Sequence, residues 1–330
     1  MSRKVQKTTL RGAFAFRESG VLLALVTFSV VIAIISPPFR TQYNITSILK
    51  QISVTAIVAM GQTLVIVSGA FDLSQGAVAG LAAMISALAV HAWGFSPLLA
   101  IIVGLGVGTT CGLANGVLAA RFRLHPIVLT LATSAVFQGL NYFITRGNPI
   151  VGLPESFLWI GRGVIGPIPA PVFLMFVVSI LMHLVLTRTV IGLRVLMIGG
   201  NAEAARLIGV HVNRVRVVIF SMSGFLAALG GIVIVGRVGN ALSTIGQDLL
   251  FPVVTAAIIG GTLLSGGVGS MAGTLMGAGL AGIVKNALVL LQFNLFLQDI
   301  AQGLMVLIAL LIDQFRRGEL SWAILAGKDN

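Results

Sequence analysis

Apolar runs of the length that crosses a lipid bilayer recur along this chain of 330 residues. A bilayer core needs roughly 20 apolar residues in one helix, and it admits only segments whose backbone groups are hydrogen-bonded internally. Ten runs meet this length requirement: 20–36, 50–68, 75–93, 97–120, 125–145, 169–187, 216–238, 249–266, 270–291 and 295–313. The sequence therefore predicts an all-α polytopic membrane protein with about ten transmembrane helices.

Composition excludes the soluble and the disordered classes. Charged residues make up 9% of the chain and apolar residues 57%, whereas an average soluble domain has about 25% charged residues. Disorder requires the opposite balance, with low hydrophobicity and high charge. The single cysteine excludes a disulfide framework and a cysteine-based zinc site. The four histidines are scattered over separate segments without metal-ligand spacing, so neither a metal site nor a catalytic site is predicted.

The positive charges indicate the orientation of the chain, not a nucleic-acid partner. The net charge is +12, but the basic residues lie at the ends of the apolar runs, where membrane topology places them. With the N-terminus inside, fifteen of the 21 lie on the inner side: Arg3, Lys4, Lys7, Arg11, Arg17, Arg121, Arg123, Arg188, Arg194, Arg206, Arg214, Arg216, Arg316, Arg317 and Lys328. The outer side has Arg40, Lys50, Arg146, Arg162 and Arg237, while Lys285 falls within a span. We therefore expect both termini in the cytoplasm.

One membrane domain, 20–315, accounts for most of the chain. A basic cytoplasmic segment, 1–19, precedes it and a cytoplasmic tail, 316–330, follows it. No loop is large enough for a soluble catalytic domain, and no GxxxxGK[ST] phosphate loop is present. The chain therefore has no room for a nucleotide-hydrolysing module of its own.

The largest inner loop, 188–215, contains the start and stop signals of a short helix. Asn201 is a favourable N-cap, Glu203 lies in the first turn, and Gly209 stands where a left-handed C-cap is needed. Gly199-Gly200 is expected to bend the chain before this helix.

The apolar end of this helix needs a cover. Leu207 and Ile208 either pack on loops of the chain itself or dock in a groove of a cytoplasmic partner. A helix this short is marginal in isolation, so one of the two is required.

Four segments in order resemble motifs of the permease subunits of bacterial ribose-type sugar ABC importers. They are Ser68–Gly76, Gly112–Leu118 followed by Pro126–Thr133, Gly199–Val210 and Gly260–Ser270. The first departs from the family's Gly-Gly-Ile-Asp-Leu-Ser-Val-Gly pattern, because Ala70-Phe71 replaces Gly-Ile and Gln75 replaces Val. The four matches span most of the chain.

This resemblance implies a subunit of the bacterial inner membrane that imports a monosaccharide or a similar small polar solute by alternating access. It also implies two cytoplasmic ATPase subunits, a second permease copy or related chain, and an external solute-binding protein. ATP would be used by the ATPase subunits, with no cofactor bound by this chain. As a transport subunit, the chain is not expected to be an enzyme. The resemblance assigns the ATPase-coupling role to Asn201, Glu203, Ala204, Ala205, Arg206, Leu207, Ile208 and Gly209.

Polar residues within the spans are candidates for the translocation pathway or for a helix break. They are Gln62, Ser68, Gly69, Asp72, Ser74, Gly76, Asn115, Gln138, Asn141 and Asn286. Asp72 has three interpretations: it caps the helix that restarts after a break, contacts the solute, or takes up a proton. The amides either line a path for sugar hydroxyls or connect helices.

Glycines at small-xxx-small spacing predict close helix packing or a subunit interface. They are Gly104, Gly108 and Gly112 on one span and Gly269, Gly273 and Gly277 on another. Lys285 is expected to snorkel towards the outer surface.

Two further functions are compatible with a polytopic chain. A stand-alone secondary transporter or channel would need charged side chains arranged as an ion path, for which Asp72 is the main candidate. A polytopic membrane enzyme would need catalytic groups clustered at one depth, and the sequence does not supply such a cluster.

Overall fold

The computed structural model describes residues 10–317, and the side chains of residues 19–314 within them. The helices in this range are α1 (Leu10–Ile35), α2 (Gln42–Val67), α3 (Gln75–His91), α4 (Pro97–Phe122), α5 (Pro126–Thr145), α6 (Glu155–Arg162), α7 (Ala170–Arg188), α8 (Val190–Gly200), α9 (Ala202–Leu207), α10 (Val212–Val238), α11 (Leu250–Ile259), α12 (Met271–Leu290) and α13 (Leu295–Arg317). A small hairpin pairs β1 (Val164–Ile165) with β2 (Ile168–Pro169). Arg3, Lys4, Lys7 and Lys328, which were assigned to the inner side, lie outside the described residues.

Seven of the described helices are long and apolar enough to cross a bilayer by length and composition: α2, α4, α5, α7, α10, α12 and α13. Three others, α1, α3 and α11, also lie at predicted spans, but their apolar parts are shorter. The predicted span 249–266 is interrupted, because α11 has only 10 residues and ends at Ile259. Residues 260–270 form turns in which Gly261, Gly266 and Gly267 have positive φ angles.

Several helices begin at residues that suit a helix N-terminus. Some accept a hydrogen bond from a free backbone N–H group, and others are prolines, which have no N–H group to satisfy. The hydroxyl of Ser270 accepts a hydrogen bond from the N–H of Gly273 at 3.1 Å, which begins α12. Pro97 and Pro126 occupy the first positions of α4 and α5, where a missing N–H costs no helical hydrogen bond.

Helices α2 and α10 form the centre of the molecule. In α2, 89% of the most apolar 18-residue window is buried, and in α10 67%, compared with 22% in α5 and 17% in α13. The peripheral helices expose large apolar side chains such as Phe143, which is 82% exposed. Such exposure fits a chain whose outer faces contact lipid instead of water.

The first predicted glycine series is a packing seam within the chain. On α4, a Cβ atom at Gly108 would meet Ala228 and the carbonyl of Gly224, and one at Gly112 would meet the carbonyl of Phe220. These contacts bring the backbones of α4 and α10 together, as small residues allow in lipid.

The second series is a seam in part. Gly273 and Gly277 of α12 lie against the carbonyls of Gly260 and Ala256 at the end of α11. Gly269 precedes α12 and contacts the side chains of Val67 and Thr262.

Candidate functional site

The predicted short helix in the largest loop is α9, and its ends have the predicted chemistry. Asn201 Oδ1 accepts hydrogen bonds from the N–H groups of Glu203 (3.0 Å) and Ala204 (2.9 Å). At the other end Gly209 has a φ of 86°, and its N–H donates to the carbonyl of Arg206 at 3.0 Å. The N-cap and the left-handed glycine are thus confirmed, and Ile208 lies just beyond the helix at its C-cap.

Most of the predicted coupling residues are exposed. Leu207 and Ile208 are 86% and 66% exposed, so loops of the described chain do not cover them. Glu203, Ala204 and Arg206 are exposed as well. Ala205 is 3% exposed and packs within the protein, which separates it from the surface that the others form.

Sequence reasoning missed α8, the helix that supports α9. Thr189 caps it, since its hydroxyl accepts a hydrogen bond from the N–H of Gly192 at 3.2 Å. Val190 and Leu193 are exposed on α8, whereas Val195 and Ile198 are buried. The exposed large apolar residues of α8, α9 and the C-cap of α9 together form what we call the loop surface: Val190, Ile191, Leu193, Met197, Leu207 and Ile208.

The predicted bend at Gly199-Gly200 is wrong, because both glycines are the last residues of α8 and the chain turns at Asn201. Gly199 serves a different purpose. A Cβ atom there would overlap the carbonyl oxygen of Val67 and the N–H of Gly267. That N–H donates to the carbonyl of Val67 at 2.8 Å. The end of α8 therefore lies directly on the end of central helix α2 and on the turn 260–270.

Asp72, in the turn between α2 and α3, is the centre of a buried hydrogen-bond cluster. Its Oδ1 accepts from the N–H (2.9 Å) and the hydroxyl (2.6 Å) of Ser74, and its Oδ2 accepts from the hydroxyl of Ser223 at 2.9 Å. Asn115 Nδ2 donates to the Ser74 hydroxyl at 2.8 Å, and Gln75 Nε2 donates to the Ser223 hydroxyl at 2.7 Å. All five residues are at most 2% exposed. We call them the Asp72 cluster; it connects the turn with α3, α4 and α10.

Within this cluster Asp72 stabilises the start of α3 from two residues before its N-cap, Ser74. Nearby, Gly69 has a φ of 77° and the Ser68 hydroxyl donates to the carbonyl of Val65 at 2.7 Å. Gly76 lies against the carbonyl of Gly246. These contacts are those of a fixed helix break.

Three of the buried amide side chains, two of them in the Asp72 cluster, have atoms without a hydrogen-bond partner in the described chain. The side-chain amide of Gln62 forms no hydrogen bond within the described chain through either its nitrogen or its oxygen, and neither do the oxygens of Gln75 and Asn115. Unpaired buried polar atoms destabilise a fold by about 1–3 kcal/mol each. Such a local loss of stability is typical of functional regions.

The remaining predicted amides connect helices elsewhere. Gln138 and Asn141 of α5 both donate to the carbonyl of Ser243, each at 3.0 Å. Asn286 of α12 and Asn44 of α2 exchange two amide hydrogen bonds, at 2.8 and 3.2 Å. The predicted pathway residues thus fall into three separate places.

A polar cavity of about 250 Å³ lies between α2, α10, α11, α12, α13 and the segment 244–249. Arg237, Lys285 and Asp248 line it together with Gln51, Thr55, Thr244, Thr255 and Gln302. Thr255 is 1% exposed, and its hydroxyl has no hydrogen-bond partner in the described chain. A cavity of this composition suits a small solute rich in hydroxyl groups.

The sequence prediction did not identify this cavity. None of the predicted pathway residues lines it. Lys285 lines the cavity and is half-buried. The signal available in the sequence was the presence of Lys285 within a span.

Comparison with known proteins gives consistent matches along the chain. A family model described as branched-chain amino acid transport system / permease component matches residues 44–310. The ribose import permease protein RbsC of Bacillus subtilis is 38% identical over 301 residues, which are 90% of this chain and 93% of that protein. The L-arabinose transport system permease protein AraH of Escherichia coli is 34% identical, covering 91% of each chain. The fructose import permease protein FrcC of Rhizobium meliloti is 35% identical, covering 90% of this chain and 84% of its own.

Among solved structures, an inward-facing metal-chelate type ABC transporter matches with a TM-score of 0.46 and 20% identity, covering 94% of this chain and 99% of its own.

Proposed function

This chain belongs to the branched-chain amino acid transport system / permease component family and, within it, to the permease subunits of ribose-type ABC importers; we propose that the solute it carries is a monosaccharide. The observation that carries this proposal is the similarity, at 34–38% identity over 90% or more of the chain, to permeases named for ribose and arabinose. The polar cavity, with its hydroxyl, amide and charged groups, provides hydrogen-bond partners of the kind that sugar hydroxyls need.

We propose that the chain crosses the membrane ten times, with both termini in the cytoplasm. The ten crossings are the seven long apolar helices together with α1, α3 and α11, the last completed by the turn 260–270. The distribution of Lys and Arg supports this orientation. It places the loop surface inside and the hairpin β1–β2 outside.

In the proposed mechanism the loop surface docks on a cytoplasmic ATPase subunit. Exposed Leu207 and Ile208 would enter an apolar groove on that partner, with Glu203 and Arg206 at the rim. The ATPase subunits would bind and hydrolyse ATP, while the permease performs no bond chemistry and needs no cofactor of its own. A domain motion of the ATPases then moves α8 and α9 as one unit.

The contact of Gly199 with Val67 and Gly267 gives this motion a route into the membrane. Because α8 lies directly on the ends of α2 and the turn 260–270, a displacement of α8 acts on both. Those elements also line or adjoin the cavity, through α2 and α11. This would couple ATP binding to a change of access, with a second permease chain and an external solute-binding protein completing the importer.

Uptake by the assembled importer tests the proposal. The chain, co-expressed with its ATPase and solute-binding protein, is reconstituted into liposomes that contain ATP and given labelled ribose, arabinose, fructose and leucine. We expect ATP-dependent uptake of at least one monosaccharide. Uptake of leucine alone would contradict the monosaccharide assignment but leave the importer intact, whereas ATP-independent uptake would favour a stand-alone transporter.

A further inference from the structure

A second feature, remote from the cavity, has the form of a lipid site. A groove of about 490 Å³ runs along the outside of the molecule between α4, α7 and α10. Leu113, Leu181, Val218 and Phe225 line it and are 39–55% exposed. Its wall is apolar along its length.

The hydroxyl groups of Thr109 and Ser221 in this wall donate hydrogen bonds to carbonyls of their own helices. The Thr109 hydroxyl donates to the carbonyl of Leu105 at 2.7 Å, and the Ser221 hydroxyl donates to the carbonyl of Val217 at 2.8 Å. Because both donors are already satisfied, the groove offers nothing to a polar solute and suits a hydrocarbon chain.

A basic pocket of about 340 Å³ adjoins the groove. The charged residues that line this pocket are all arginines, namely Arg121, Arg123 and Arg214. Within the part of the chain that the structure describes, no hydrogen bond or ion pair engages these three guanidinium groups. Three exposed guanidiniums on one pocket, with no partner in the described chain, favour the binding of an anion from outside the chain.

The groove and the pocket are neighbours that share a wall residue. Val217 lines both of them. On α4, Leu113 lines the groove and Val117, one turn further, lines the pocket. A molecule with a long apolar part and an anionic head could therefore occupy both at once.

We propose that the groove and the basic pocket form a binding site for one anionic phospholipid, with an acyl chain in the groove and its phosphate on Arg121, Arg123 and Arg214. Basic pockets between helices at the cytoplasmic face recognise anionic head groups in this way. The assignment to the cytoplasmic leaflet rests on the orientation proposed above; the lipid class does not. A second copy of this chain suits the pocket less, because the chain has 21 basic residues against 9 acidic ones and no acidic side chain lines the groove or the pocket.

Native mass spectrometry of the full-length chain, exposed to equal amounts of phosphatidylglycerol and phosphatidylcholine, tests the proposal. We expect phosphatidylglycerol to be retained preferentially. In the double variant Arg121→Gln/Arg214→Gln, the preference falls by about 5-fold for each arginine removed. The control, Arg188→Gln/Arg194→Gln, removes two arginines of the same end that do not line the pocket, and it should retain the preference. Equal retention of both lipids by the native chain, or an equal loss in the control, would overturn the proposal.

Two further measurements separate a lipid from other occupants. The thermal midpoint should rise with phosphatidylglycerol but not with inorganic phosphate, and equal stabilisation by phosphate would reduce the site to an anion pocket. If the double arginine variant does not fold, Leu113→Trp fills the groove instead and should lower phosphatidylglycerol retention. In a Cys111→Ala background, cross-linking of Leu113→Cys to Phe225→Cys between copies would assign the groove to a permease interface and refute the lipid.

Discussion

Gly199 of α8 lies against the carbonyl oxygen of Val67, the last residue of α2, with no room for a methyl group between them. This contact connects the exposed loop surface to the helix whose apolar span is the most buried among the seven long apolar helices described. A side chain at position 199 would separate α8 from α2. A displacement of α8 would then be transmitted less directly to α2. The pair is thus a specific point at which coupling can be tested.

Gly199→Ala should impair ATP-dependent uptake and destabilise the protein by about 1–3 kcal/mol, because the added methyl meets backbone atoms that cannot rotate away. Gly200→Ala is the matched control, since nothing lies within 4 Å of a Cβ atom there. Uptake and thermal midpoint are measured for both variants in liposomes and in detergent. Equal behaviour of the two variants would show that the contact with Val67 is irrelevant.

Ala204→Asp/Leu207→Asp should abolish co-purification of the ATPase and, with it, uptake. Both side chains are exposed on α9, so the permease itself should fold, while a partner groove would have to bury two unpaired charges at a cost of several kcal/mol. Val164→Asp on the hairpin β1–β2, at a residue that is 61% exposed, is the control. A double variant that keeps its ATPase would remove the loop surface from the coupling mechanism.

Asp72→Leu should prevent stable assembly, whereas Asp72→Asn should be tolerated better. Leucine leaves the Ser74 N–H and the hydroxyls of Ser74 and Ser223 without an acceptor, each at about 1–3 kcal/mol. Asparagine retains one oxygen for the two bonds from Ser74. Thermal midpoints and yields of membrane-inserted protein distinguish the variants, and full stability of the leucine variant would contradict a role of the Asp72 cluster in starting α3.

Lys285→Gln should lower the rate of solute uptake without loss of the folded protein, because Lys285 lines the polar cavity. Lys50→Gln provides a control at a lysine that does not line it. Initial uptake rates at several solute concentrations are compared, with protein amount held equal. Identical rates in the two variants would place the pathway outside this cavity.

Orientation is tested by two single cysteines in the Cys111→Ala background. Glu155→Cys and Glu203→Cys both replace exposed glutamates on short helices at opposite ends of the proposed topology. In intact cells an impermeant thiol reagent should label position 155 and spare position 203. The reverse pattern would invert the topology inferred from Lys and Arg.

Local signals in the sequence predicted local structure well. The N-cap at Asn201 and the left-handed Gly209 depend on hydrogen bonds that span three or four residues, so their residue types suffice to identify them. The apolar runs likewise identified where the long helices lie, although they did not report the early end of α11 at Ile259 or the short helix α8.

Contacts between distant segments were not predictable in this way. The cavity combines Arg237 and Lys285 with residues of four other segments, and no spacing within one segment reports which helices meet. The sequence suggested a bend at Gly199, because the residue that Gly199 packs against, Val67, is remote in sequence. Likewise, amides such as Asn141 could be recognised as buried polar groups, but their partner, the Ser243 carbonyl, became evident only in the folded chain.

Because α11 is short, only a few residues separate the cavity from the turn 260–270. The cavity reaches Thr255, and α11 ends four residues later at Ile259, a distance of about 6 Å at 1.5 Å per residue. Beyond it, the turn 260–270 is held to α2 by the bond from the Gly267 N–H to the Val67 carbonyl. Along this line, little more than one helical turn and one glycine-rich loop therefore lie between the cavity and the contact of α8 with α2. In the topology proposed above, this stretch lies between the cavity and the cytoplasm, so the proposed motion of α8 acts on it directly.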